Sequence, residues 1–388
     1  MSNGKKIYFD YAATTPVDPQ VLKAMLPYFE SNFANTMSLH EMGRKAAEAV
    51  EKGRKIVSDY IQAKPEEIVF TASATESNNW VLKGVAFANR NKGNHIIISP
   101  IEHDCVLESA RWLARNGFEI SYVKVDQFGL VDLEDLKKII RKETILVSII
   151  HGNNEIGTVQ DIGKIGEICK ERSVYFHTDA AQSFGKEEID VNKMNIDFLT
   201  ASSHKIYGPK GVAILYIKIG AVIEIMMHGG GHENGKRSAT VNVPAIMGMV
   251  KAIEIYKKNR EVENQKISKW RDEIINNLLK IKGSRLNGHD KKRLVNNVNI
   301  SFAGVEGESL LMELDLKGIE VSTGSACSST SLEPSHVLMA IGLEAQVAHG
   351  SLRISLGRWT TQNEIDYLLK TVPEVVEKFR KISPFKIW

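Results

Sequence analysis

The sequence predicts an α/β protein, with a large unit on a mostly parallel sheet and a smaller α+β unit after it. From about residue 20 to 257, stretches of helical apolar periodicity alternate with short apolar runs, the pattern of strands joined by crossover helices. After about residue 258 this gives way to a long charged helical stretch, EVENQKISKWRDEIINNLLKI, and then to short mixed elements. The length of 388 residues also exceeds the roughly 100 to 200 residues of one domain. The expected division is 16–257 for the large unit, with 1–15 and 258–388 forming the small one.

Strands are expected at EIVF (67–70), HIIIS (95–99), ILVSII (145–150), VYFHT (174–178), DFLTA (197–201) and VAILYI (212–217). These runs are short and rich in β-branched and aromatic residues. Helices are expected at EMGRKAAEAVEKGRKIVSDYI (41–61) and DIGKIGEICKER (161–172), and VNNVNISF follows the charged helix. In open parallel sheets, ligands sit beyond the carboxyl ends of the strands. Residues that directly follow these runs are therefore the first candidates for function.

Composition narrows the class. The apolar fraction is 43% and the charged fraction 25%, as in ordinary globular proteins. A net charge of +3, with Lys and Arg interspersed among Asp and Glu, gives no footprint for nucleic acid or an anionic membrane. Three cysteines form neither a disulfide framework nor a paired zinc pattern, so a reducing, cytoplasmic home is expected. No signal-peptide run opens the chain, and no segment approaches the roughly 20 apolar residues that span a bilayer.

Two strand ends carry chemistry. VYFHTDAAQSFG runs from apolar residues into Asp179, with Gln182 following; alone, this reads equally as a helix cap. DFLTASSHKIYGPKG runs into Ser202, Ser203, His204 and Lys205 before a Gly-Pro-Lys-Gly turn. A lysine crowded at a strand end can be desolvated enough to serve as a Schiff-base amine. A carboxylate and a lysine on successive strand ends are what pyridoxal phosphate requires: one keeps the ring nitrogen protonated, the other binds the aldehyde carbon. TASATESNNWVLKG adds small residues, Ala72 to Thr75, at a helix start suited to a phosphate.

The segments TASATES, IEHDCV, HGNNEIGTVQDI, HTDAAQS, SSHKIYGPKG, GGGHENGKRSAT, GSACSSTSLEPSHVL and SLRISLGRW span essentially the whole chain. Together they resemble the cysteine desulfurases of the NifS/IscS group, pyridoxal-phosphate enzymes with the aspartate-aminotransferase-like fold. The resemblance implies that Lys205 carries the cofactor, Asp179 pairs with its ring nitrogen, Gln182 bonds its hydroxyl and His103 stacks on its face. It implies that Ala74, Thr75, Ser202 and His204 hold the phosphate, helped by Thr240 from the other subunit of a homodimer, with Ser203 also cofactor-binding. Asn154 and Arg353 would receive the carboxylate of L-cysteine, Asn154 also lying against the cofactor. The guanidinium fork of Arg353 suits that task.

The segment STGSACSSTSLEPS, about 322–335, places Cys327 among small residues. A thiol on such a loop can visit the cofactor and then face an acceptor, so Cys327 is the expected nucleophile and persulfide carrier. The sulfur would pass to an iron–sulfur scaffold protein or a tRNA-thiolation carrier, and the only metal role expected is Cys327 as a transient cluster ligand. Ser322 to Leu332 contain no Lys, Arg or His, so local sequence does not activate the thiol. Cys169 reads as helix core, and nothing demands chemistry of Cys105.

Three positions depart from the family's wording. Ser73 stands where Gly is usual, and would be strained if the turn needs positive φ. Ala239 replaces the Gly of an RSGT motif, and FANTMSLH (33–40) lacks a proline. The sequence is also compatible with a selenocysteine lyase, a small-amino-acid aminotransferase, which needs no such thiol, and a catalytically weak sulfur-relay partner that binds pyridoxal phosphate.

Overall fold

The computed structural model describes residues 6–323 and 333–383. The strands in chain order are β1 Ile7–Tyr8, β2 Ile68–Thr71, β3 His95–Ile98, β4 Glu119–Tyr122, β5 Thr144–Ser148, β6 Tyr175–Asp179, β7 Phe198–Ser202, β8 Ala213–Ile217, β9 Ser284–Leu286, β10 Asn297–Phe302, β11 Ile319–Glu320 and β12 Ser351–Ser355. A seven-stranded sheet runs in the order β2-β8-β7-β6-β5-β3-β4. Its pairings are parallel except for β8, which is antiparallel to both β2 and β7. The β7 to β8 link, residues 203–212, is shorter than the dozen or so residues a parallel crossover needs, so the strand must return antiparallel.

The six strands expected from sequence all form, each within a residue or two of its expected ends. They were legible because both faces are buried. Ile97, Leu199 and Ile214 enter one apolar cluster, while their neighbours Ile96, Ile98, Phe198 and Leu215 enter another. Alternation along a strand sends successive side chains to opposite faces, so helices must cover both sides. Glu41–Tyr60 and Ile162–Glu171 cover one side, Ala74–Ala88 and Asp104–Ala114 the other. β4 was not expected: its residues EISY are exposed or half-buried, and it forms by pairing with β3 at the sheet edge.

A second core packs on the antiparallel sheet β12-β10-β9. Val298, Ile300, Leu352 and Ile354 meet Trp270, Ile274, Leu368 and Val372 there, and Phe9 joins them after β1 pairs with β11. The charged helix begins earlier than sequence suggested. It runs unbroken over Val243–Leu278, burying Ile246, Met249 and Ile253 in the first core and Ile267, Ile274 and Leu278 in the second. The pattern change near residue 258 is the polar stretch between these two apolar faces. Among the described residues, no helix is long and apolar enough to cross a membrane.

Two of the departures receive an answer. Ser73 has φ −164° and caps Ala74–Ala88, its Oγ accepting from Glu76 N at 3.1 Å. The strain considered for it is absent, because extended backbone suits any residue. Ala239 has φ +151°, the region where a Cβ is unwelcome and glycine is favoured.

Candidate active site

A cavity of about 480 Å³ opens where these strands end. Asp179 closes β6, Ser202 closes β7, and Lys205 follows in a short turn. His103 precedes the helix Asp104–Ala114, Ser73 precedes Ala74–Ala88, and Arg353 lies in β12. Of the residues expected from sequence, Ala74, Thr75, His103, Asn154 and Asp179 line this space, as do Gln182, Ser202, His204, Lys205 and Arg353.

The others lie elsewhere. Ser203 is fully buried off the cavity wall, with its Oγ lacking a hydrogen-bond partner among the described residues. Thr240 is exposed and lines no part of its own chain's cavity. Cys327 lies outside the described residues.

Asp179 is nearly buried and held from two sides, Oδ1 accepting from Ala181 N at 2.8 Å and Oδ2 from Asn78 Nδ2 at 2.6 Å. Lys205 Nζ donates to the carbonyls of Ala12 at 2.5 Å and Ala13 at 2.8 Å. Gln182 Nε2 donates to the same Ala12 carbonyl at 2.8 Å. His103 Nδ1 accepts from Cys105 N at 3.2 Å, which leaves the proton of the neutral ring on Nε2. His204 sits 3.1 Å from Thr14 Oγ1, and burial, with Lys205 and Lys210 nearby, pushes its pKa down to about 4. It is therefore a neutral imidazole at neutral pH. Arg353 pairs through Nη2 with Asp10 at 2.8 Å and donates from Nη1 to the Asn154 carbonyl at 3.1 Å.

The basic glycine loop is tied to this wall. Arg237 Nε reaches Glu76 Oε1 at 2.8 Å, in the first turn of the helix that begins at Ala74. Glu233 makes a buried ion pair with Arg54 at 2.7 Å and also accepts from Phe70 N at 2.8 Å.

Some participants escaped the sequence reading. Asp10, Ala12, Ala13 and Thr14 come from the YAATTP region, whose run of small residues before a proline was the available signal. Asn78 is buried one helical turn after Ala74. Cys105 lines the cavity, its Sγ 3.2 Å from both His103 Nδ1 and Asn78 Nδ2. Cys169 is core, as expected, and burial pushes its thiol pKa up.

This donor set fits pyridoxal phosphate. A lysine amine and a buried carboxylate share one cavity, and a helix start on the same wall has first-turn N–H groups without intrahelical acceptors. Arg353 supplies a guanidinium whose Nε has no partner among the described residues.

Comparison with known proteins agrees. The family profile described as Aminotransferase class-V matches residues 7–368. The cysteine desulfurase IscS of Methanosarcina thermophila is 50% identical over 383 residues, covering 99% of this chain and 95% of that protein. A solved NifS-like protein superposes with TM-score 0.91 at 38% identity, covering 96% of this chain and all of that one. SspA, solved in complex with cysteine, superposes with TM-score 0.82 at 39% identity, covering 92% of this chain and all of that one. The chain thus belongs to the class-V aminotransferases, pyridoxal-phosphate enzymes, and within them to the NifS/IscS group of cysteine desulfurases.

Proposed function

We propose that this protein converts L-cysteine to L-alanine and stores the released sulfur as a persulfide on Cys327. The observation that carries the chemistry is the meeting of Lys205, Asp179, His103 and Arg353 around one cavity. Bound pyridoxal phosphate supplies an electrophilic carbon for the substrate amine and an electron sink for the Cα–H bond. Ala74, Thr75, Ser202 and His204 hold its phosphate, neutral His204 as a hydrogen-bond donor, while Ser203, buried off the cavity wall, takes no part. Asp179, fixed by Asn78 and Ala181, keeps the ring nitrogen protonated, while Gln182 and His103 orient the ring.

Arg353 and Asn154 seat the substrate carboxylate, for which Arg353 must turn part of its fork from Asp10. The Lys205 amine, once freed, takes the Cα proton. The Cys327 thiolate then attacks the substrate sulfur; the Cβ–S bond breaks, its electron pair stays with the carbon skeleton, and protonation yields alanine. The Nε2 proton of His103 assists that step.

The exposed Thr240 and the exposed apolar side chains Leu22, Phe29, Phe33 and Leu39 support a homodimer in which Thr240 serves the second copy's phosphate. An iron–sulfur scaffold or another thiol carrier takes the sulfur onward, in the cytoplasm. The small domain comprises 1–15 and 258–388 and the large one 16–257, with the boundary inside the long helix.

The test is alanine formed per active site from L-cysteine with excess reductant, for the natural protein and Cys327→Ser, with cofactor absorbance recorded in both. The expected result is turnover by the natural protein, and in the variant a change of absorbance on cysteine addition without sustained alanine. Equal alanine from both would remove Cys327 from the mechanism.

A further inference from the structure

Ser335 and His336 follow Cys327 closely in the chain, and both rest on buried acidic residues beside the cofactor cavity. Ser335 Oγ donates to Glu155 Oε2 at 2.5 Å and accepts from Leu338 N at 3.2 Å, so one hydroxyl caps the helix His336–Ala340 and ends on a carboxyl. His336 Nε2 lies 3.0 Å from the Glu102 carbonyl. Glu102 is fully buried, its Oε1 taking Ser99 Oγ at 2.5 Å and Ile150 N at 2.8 Å. Asn153 Nδ2 donates to the Ile101 carbonyl at 2.8 Å, tying the two acidic segments together. Beneath them Val337 and Leu338 pack on Ile101, Ile150 and Ile156 in an apolar cluster of their own.

The chain neighbours of these acids matter most. Glu102 precedes His103 and Glu155 follows Asn154, and both His103 and Asn154 line the cavity. A buried carboxyl is an expensive way to meet one hydroxyl, and the Ser335 cap on Leu338 N would serve a merely structural helix without it. We propose that Glu155 is a positioning residue for sulfur transfer: through Ser335 it fixes where the chain that carries Cys327 arrives relative to His103 and Asn154, without touching substrate or cofactor. This rests on the reading that Cys327 accepts the sulfur.

Glu155 also lies within reach of the site's charges. Burial pushes its pKa up to about 7, while the Ser335 hydroxyl, Arg353 and His103 pull it down and Asp104 pushes it up. Above that value its bond to Ser335 becomes charge-assisted and stronger.

The test uses holoenzyme in a single turnover of L-cysteine, following the cofactor absorbance change on cysteine addition and, separately, cyanolysable sulfur on Cys327. Glu155→Ala and Ser335→Ala are expected to keep the absorbance change at natural cysteine concentration while persulfide formation slows roughly tenfold, the worth of one charge-assisted hydrogen bond. Glu155→Ala/Ser335→Ala should be no slower than either single variant, because the two act through one contact. Glu155→Gln, which keeps an acceptor, should stay within about threefold and lose any limb of the pH profile that titrates near 7. Amide exchange over His336–Ala340 should quicken in the alanine variants and not in Glu155→Gln.

Equal persulfide rates in all variants, additive losses, or an equal loss of cysteine binding would overturn the proposal. If Glu155→Ala fails to fold, an unslowed persulfide rate in Ser335→Ala overturns it alone. Failure of the underlying reading looks different: the natural protein would then make alanine without sulfur on Cys327.

Discussion

Lys205 and Asp179 could be singled out from sequence because both follow apolar runs on successive strands, and the pair, unlike Asp179 alone, has no reading as a helix cap. Asp10, Asn78 and Glu155 could not. Asp10 meets Arg353 across 343 positions of chain and Glu155 meets Ser335 across 180, separations over which no local pattern survives. The same scale separates two substitutions that looked alike on paper. Ser73 is extended and relaxed at a helix cap, whereas Ala239 is held at φ +151°. Such a backbone costs a residue with a Cβ on the order of 1 to 3 kcal/mol, against about 0.4 to 1 kcal/mol of extra unfolded-state entropy for glycine. Ala239→Gly is therefore expected to stabilise the protein by roughly 1 kcal/mol, read as a higher urea midpoint at unchanged slope. A lower midpoint would mean that the loop accommodates alanine without strain.

At the scale of the element, the strands that sequence revealed are those buried on both faces. β4 was invisible because its stability is borrowed from β3. The start of the long helix was missed for the opposite reason: one continuous element serves two cores, and its polar middle hides that continuity. Burial on the loop that follows β3 has a measurable price in pH. Glu102 is pushed from its ordinary value of 4.5 up to about 8 by burial, although Ser99 and the Ile150 amide pull the other way. A raised folded-state value means that the group's contribution is fully present below about 4.5 and is lost as pH rises through about 8. Glu102→Gln should accordingly flatten the fall in thermal midpoint across that window relative to the natural protein. Comparing the two cancels the opposite drift from Lys186, whose buried ammonium, lowered to about 7, loses its proton there. Parallel declines would show that Glu102 is already ionised in the folded state.

At the scale of the molecule, what must be explained is why two cores behave as one support for the cavity. The long helix joins them, and Arg358 locks the join. Its Nη1 pairs with Asp18 at 2.6 Å, and its Nε lies 2.8 Å from Glu263, in the polar middle of that helix, as an ion pair without hydrogen-bond alignment. Its guanidinium lies 4.3 Å from the ring centroid of Tyr207, and its backbone N donates to the Tyr207 hydroxyl at 2.6 Å. Tyr207 stands two residues beyond Lys205 and has φ +66°, a strained conformation that persists only when its surroundings hold it. One side chain thus links the chain start, the long helix and the turn that carries Lys205. Arg358→Met would leave Asp18 and Glu263 as nearly buried, uncompensated charges, at a cost of about 3 to 5 kcal/mol. Because the loss falls on the join rather than within either core, the denaturation curve should become broader or split into two steps, with the absorbance of bound cofactor lost in the first. A single sharp transition at the natural midpoint would show that the helix alone couples the cores. A single transition shifted as a whole would show that they cannot be uncoupled at this point.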